Sequence, residues 1–206
     1  MPRISAALCL VTALALPACK IVKTAADSDA VAVDPIAALA EQTFASQLLP
    51  LIAEKSSDVA SLRTAIASGL DAAGKTHGNR GAGEGAAWNF AVKGSGKVIA
   101  ANLTSRARKA ELDSDGDGAA DLTLQLGPVI KGTALRDVAP FYDFGDFRDQ
   151  IEFAELARAI NDKLSAALVV PEGDLVGKTL EFTGVVPLKS AKDAWVVTAV
   201  SVTVAP

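Results

Sequence analysis

Apolar residues along this chain change their spacing repeatedly, and each change marks a different kind of element. An apolar run from Ile4 to Leu16 comes first. Ile36, Leu39, Ala40, Phe44 and Leu48 then recur at helical spacing behind Asp34-Pro35, a capping side chain followed by a proline suited to a first helical turn. Pro50 is expected to kink or end that helix. Val59, Leu62, Ile66 and Leu70 repeat the pattern and predict a second helix from about Asp58 to Ala73, giving a helical hairpin over residues 34–74.

Gly74, Gly78, Gly81, Gly83 and Gly85 then crowd a segment without periodic core residues, which reads as a loop. It follows a helix and opens a strand, the reverse of what a dinucleotide fingerprint requires. Gly94-Ser95-Gly96-Lys97 also fails as a nucleotide loop, because Ala91 stands where the first glycine is needed. Beyond Trp88 the period becomes two. Trp88, Phe90 and Val92 alternate, Gly94-Ser95-Gly96 reads as a turn, and Val98 to Leu112 reads as a long bent strand; Leu122, Leu124 and Leu126 form a third. Phe147 to Leu168 carries Phe153, Leu156, Ile160, Leu164 and Ala167 on one helical stripe. Leu180, Phe182 and Val186, then Trp195 to Val204 with Val200, Val202 and Val204 alternating, close the chain as two more strands.

Three strands, a helix and two strands is the order of an OB barrel, in which the helix plugs one end. The expected fold is therefore α+β: an OB-like five-stranded antiparallel barrel over residues 86–206, behind the helical hairpin. An unclosed antiparallel sheet with helices on one face has the same element order and stays open as an alternative.

The first apolar run decides location. Arg3, the run to Leu16, and Leu16-Pro17-Ala18-Cys19 match a bacterial lipoprotein signal over residues 1–18, too short to span a bilayer. The Cys19 thiol would take a diacylglyceryl group and, after cleavage, the new amino group a further chain of the palmitate kind. Two or more acyl chains make attachment stable, at about 0.8 kcal/mol per buried methylene. Residues 19–33, small and polar, suit a lipidated tether, and residues 34–206 a single domain. Cys9 leaves with the signal, so no thiol remains to pair with Cys19. Loss of Arg3 makes a chain of net charge −4 one unit more acidic, which argues against nucleic acid and against docking by charge on anionic lipid. Lys20 after the cysteine is not the aspartate that retains lipoproteins in an inner membrane, which points to the outer membrane where there are two.

Asp113-Ser114-Asp115-Gly116-Asp117-Gly118, with Asp121 beyond, places carboxylates at positions one, three, five and nine of a calcium loop and glycine at six. Leu124 stands at position twelve where a bidentate Glu is needed, and both flanks read as strands. The segment is a weak Ca²⁺ site through Asp113, Asp115, Asp117 and Asp121, or a hairpin turn rich in residues that bond their own main chain.

Gly127-Pro128-Val129-Ile130-Lys131-Gly132-Thr133-Ala134-Leu135-Arg136-Asp137, followed by Phe141, Phe144, Asp146-Phe147, Gln150-Ile151 and Phe153-Ala154, resembles a family of bacterial predicted periplasmic lipoproteins, domain-of-unknown-function family 2291. Cys19-Lys20-Ile21-Val22, Asn89-Phe90, Gly94-Ser95-Gly96-Lys97-Val98 and Asp117-Gly118 carry the same resemblance. Asp149 replaces an Asn of the family pattern, and Pro17 a Gly or Ser. The resemblance implies a lipid-anchored protein outside the cytoplasm, accompanying sugar ABC transport systems, with no established activity. From the residues alone, Arg136 and Asp137 either pin the crossover into the last helix or join Asp149 and Gln150 in a polar patch facing a sugar. Gln150, on the edge of the buried stripe, is expected to be partly buried and in need of partners.

Catalysis finds little footing. His77 is the sole histidine, no G-x-S-x-G elbow occurs, and one His with one acylated Cys cannot ligate zinc. Asp143 and Asp146 are a carboxylate pair without further signature. The chain is expected to be a binding or accessory module without a cofactor, other than Ca²⁺ at the aspartate loop. The alternative is a structural or assembly protein of the envelope.

Overall fold

Asp34 accepts a hydrogen bond from the Ile36 amide at 2.9 Å and begins helix α1 (Pro35–Thr43), as the Asp-Pro pair predicts. This is where the computed structural model begins to describe the chain: it covers residues 34–206, so the signal, Cys19 and the tether lie outside the described residues. Pro50 does not end the helix. A π turn over Phe44–Leu48 leads into α2 (Leu49–Lys55), and the helix runs without a break from Pro35 to Lys55. The wider turn gives room where the proline ring would meet the carbonyl four residues back in a regular α-helix. By length and hydropathy this helix resembles a membrane span. Ile36, Ala40, Phe44, Leu48 and Ile52 are nonetheless buried in the domain.

Ser57–Asp58 forms a two-residue strand, β1, and Asp58 caps α3 (Val59–Ser68) through the amides of Ala60 and Ser61. The single second helix expected from the sequence is broken at Gly69, whose φ of 154° lies outside the reach of most side chains, and resumes as α4 (Leu70–His77). The glycine-rich segment is likewise less of a loop than its composition implies. Gly78–Arg80 is strand β2, paired antiparallel with residues 88–90.

Strand β3 (Trp88–Asn102) continues through Gly94-Ser95-Gly96, which is not a turn. The reversal falls later, at 103–106, ahead of β4 (Ala107–Asp113), so the predicted bent strand from Val98 to Leu112 is two strands. The glycines have a different task. A Cβ on Gly96 would lie 2.8 Å from the Asp113 carbonyl oxygen, so only glycine lets β4 approach where β3 coils from one partner to the next. Residues 88–97 of β3 pair with β6 (Thr179–Leu188), and residues 97–102 pair with β4, with a bulge between Val98 and Ala100. β4 pairs with β5 (Leu122–Pro128), β5 runs parallel to β7 (Trp195–Val204), and β7 returns antiparallel to β6. The circuit β3-β4-β5-β7-β6-β3 closes a five-stranded barrel of OB topology, and the open-sheet alternative falls. β1 and β2 cover the edge of β3 ahead of β4.

Phe90, Val92, Val98, Leu112, Leu122, Leu124, Leu180, Phe182, Val186 and Val197 fill the barrel interior together with Val59, Leu62 and Ile66 of α3. The helix that packs with the barrel core is thus N-terminal. α6 (Gln150–Ala167), in the position of the usual OB plug, lays Phe153, Leu156, Ile160 and Leu164 against α1, α2 and the outward-facing Ala91 and Val185. The two arms of the predicted hairpin therefore serve different cores. α6 begins at Gln150 rather than Phe147, and Ala167 is exposed. A bulge opposite Thr183 and Gly184 reverses the alternation in β7, so Ala199 and Val202 are buried while Val204 is exposed. A short helix α5 (Ala134–Asp137) and a 3₁₀ turn at Phe144–Asp146 complete the crossover into α6.

Candidate functional site

The aspartate loop joins β4 to β5. One carboxylate oxygen from each of Asp113, Asp115 and Asp117 lies within 4.8 Å of the others. Asp113 is buried and already engaged: its two oxygens accept from the Gly116 amide at 2.6 Å and the Gly118 amide at 2.9 Å. The Gly116 bond holds its carboxyl below the usual aspartate range, against an opposing push from burial, and the Gly118 bond adds to the lowering. Asp121 does not join the three. Its oxygens accept from the Ser114 hydroxyl and pair with the Arg63 guanidinium at 3.3 Å. Arg63 lies on α3 and also covers the Trp195 ring, so Asp121 ties the N-terminal helix to the barrel. Leu124, at the twelfth position, is buried in the barrel core.

Arg136 and Asp137 meet as the sequence suggests, and they meet each other. Asp137 Oδ1 accepts from Arg136 Nε at 2.8 Å and lies 2.6 Å from Nη2, while Arg136 Nη1 donates to the Phe153 carbonyl oxygen at 2.8 Å. The guanidinium stacks over the Phe153 ring, and Asp137 Oδ2 accepts from the Thr133 hydroxyl. With the side chains 8% and 12% exposed, this pair pins the crossover and offers little to a ligand. Gln150 is exposed, contrary to the partly buried position expected, because the buried stripe of α6 starts at Phe153. Asp149 beside it is the N-cap, accepting from the Ile151 and Glu152 amides at 2.9 Å.

A second opening for a ligand lies next to that pair, more enclosed than the concavity of about 650 Å³ beside the aspartate loop. A cleft of about 430 Å³ opens between the end of α2, the end of α4 and β2. Glu54, Lys55, Ser56, Ser57, His77 and Asn79 give it donors and acceptors; Leu51, Ala91, Val138 and Pro140 give it apolar wall. Asn79 donates through Nδ2 to the Asp137 carbonyl oxygen at 2.8 Å, and buried Asn89 donates to the Asn79 carbonyl oxygen. The Arg136-Asp137 pair thus stands behind the cleft and orients one of its walls. Sequence reasoning noticed His77 and missed the cleft, because its walls come from segments more than eighty residues apart and no motif spans them.

A family model described as predicted periplasmic lipoprotein (DUF2291) matches residues 9–203 of the chain. Among solved structures, an OB-fold protein from Thermotoga maritima aligns with a TM-score of 0.62 at 15% identity, over 82% of this chain and 98% of that one. At that identity the likeness speaks for the fold alone. No curated protein matches the chain.

Proposed function

The chain belongs to the predicted periplasmic lipoproteins (DUF2291), and we propose that it serves there as a non-catalytic module binding a sugar in the cleft of Lys55, His77 and Asn79. Lipid anchoring on the periplasmic side follows from the family; inner or outer membrane does not, and Lys20 after Cys19 supports the outer one. The observation that carries the ligand class is the composition of the cleft. Sugar hydroxyls need donors and acceptors side by side while the ring C–H faces need apolar wall, and this concavity pairs Glu54, Lys55, Ser57 and Asn79 with Val138 and Pro140. A sugar ABC transport system is the partner that fits such a ligand. His77 is exposed in the wall of the cleft and the Ser56 hydroxyl there is spent on the Ile52 carbonyl oxygen, which supports binding over catalysis.

A weak Ca²⁺ site is a separate part of this reading, supported by the close approach of Asp113, Asp115 and Asp117. The engagement of Asp113 by amides and the loss of Asp121 to Arg63 keep its expected affinity low. A melting screen of the protein with mono- and disaccharides tests the ligand class. A binder raises the midpoint with ligand concentration, and Asn79→Ala abolishes the response. No shift with any sugar removes the ligand class and leaves the family assignment standing.

A further inference from the structure

Phe141, Phe144 and Ile151 are 37%, 38% and 68% exposed on the segment that leads into α6 and on its first turn. Their rings are not free to fold away: Phe141 packs edge-on against buried Tyr142, and Phe144 edge-on against buried Phe153. Single exposed apolar residues are ordinary; three within eleven residues of chain make this segment the candidate contact surface. A groove of about 340 Å³ runs from Phe141 and Phe147 to Pro35, Ile36 and Leu39, the first residues of α1. The apolar face therefore adjoins the point at which the chain enters the domain.

That position identifies the occupant. Fourteen residues separate Cys19 from Asp34, a span of at most about 50 Å even when fully extended. The bilayer that holds the acyl chains is thus always within reach of this face, at high effective concentration. We propose that Phe141, Phe144 and Ile151 seat in the boundary between headgroups and acyl chains, so that the domain docks on its own membrane in one orientation. This rests on the lipoprotein reading. Phenylalanine and branched aliphatic side chains at this depth are what interfacial segments use. Asp146 and Glu152 line the groove and exposed Asp143 directly precedes Phe144, so the docking is apolar rather than electrostatic and prefers zwitterionic to anionic lipid.

The natively acylated full chain, reconstituted in phosphatidylcholine vesicles, tests this directly. With Cys19 blocked by its acyl group, Ile151→Cys gives a single thiol for an environment-sensitive fluorophore, and Asp115→Cys gives a control in the turn between β4 and β5. The label at 151 is expected to emit at shorter wavelength and to lose most of its emission to lipids brominated on the acyl chains, while the label at 115 does neither. Phe141→Ser with Phe144→Ser should abolish the quenching at 151 while the protein still floats with the vesicles. Water-like emission at both labels on floating vesicles overturns the docking and leaves the anchor intact. A shielded label that brominated lipid does not quench means that protein covers the face, which also overturns it. Failure to float overturns the lipoprotein reading itself.

Discussion

The Arg136 guanidinium carbon lies 3.4 Å from the centroid of the Phe153 ring, and the same guanidinium donates to the Phe153 carbonyl oxygen. One side chain thereby fixes both the ring and the backbone of the residue that opens the buried stripe of α6. Arg136→Ala leaves Asp137 buried without its partner and is expected to cost about 3–5 kcal/mol. Arg136→Lys should recover only part, since a point charge supplies neither the fork nor the stacking plane. Urea unfolding of the two variants beside the parent measures both. A change within error for Arg136→Ala would refute the pinning role.

Gly184 meets a harder limit. A Cβ there would lie 2.4 Å from the Thr198 carbonyl oxygen and 2.6 Å from Val197 Cγ1, at the bulge where β6 and β7 change register. Gly184→Ala is expected to destabilise by about 1–3 kcal/mol or more. The clash is with backbone, so relief requires moving the strand. Thermal and urea midpoints report the loss.

Acid should weaken the fold through two aspartates. The hydrogen bond donated by the Glu152 backbone amide, with help from the Ile151 amide and the Arg148 charge, holds the Asp149 carboxyl below its ordinary 3.8 despite the opposing effect of burial, and the Gly116 amide does the same for Asp113. Each carboxyl binds its proton less readily folded than unfolded. Their contribution is therefore complete above 3.8 and is lost as pH falls through the lowered folded value. Asp149→Asn keeps a good cap without the titration, so it should leave stability at pH 7 nearly unchanged and flatten the acid limb. Stability measured at pH 7 and pH 3 decides it.

Calcium gives the aspartate loop a simple test. If the loop binds the ion, millimolar Ca²⁺ raises the melting midpoint relative to EDTA, and Asp115→Asn with Asp117→Asn removes the rise. An unchanged midpoint in the intact chain reduces the loop to a turn. Either outcome leaves the Asp121-Arg63 tie to α3 in place.

Much of the barrel is legible in the sequence because alternation on a strand and stripes on a helix are local consequences of burying one face. Leu122, Leu124 and Leu126, or Phe153, Leu156, Ile160 and Leu164, are read correctly for that reason. Misreadings fall where a residue has two possible tasks. Gly94 and Gly96 are as suited to coiling a strand as to reversing it, and nothing within their own segment reveals that a Cβ on Gly96 would come 2.8 Å from the Asp113 carbonyl oxygen of β4. Pro50 ends a regular helix but not one with a π turn ahead of it. Arg136 and Asp137 look alike as an ion pair and as a sugar site until the Phe153 carbonyl and the Thr133 hydroxyl take up their remaining bonds.

The sequence by itself determined the periods, the cap at Asp34, the order of strands about one long helix, and a cysteine behind an apolar run, all of which depend on neighbours within a few residues, whereas the caps at Asp58 and Asp149 emerged from the structure. Only the tertiary structure decided that α3 rather than α6 packs with the barrel core, that Asp121 belongs to Arg63, and that Lys55, His77 and Asn79 share a cleft. Those contacts join segments far apart in the chain, and their partners are chosen by which apolar faces remain uncovered once the barrel has closed.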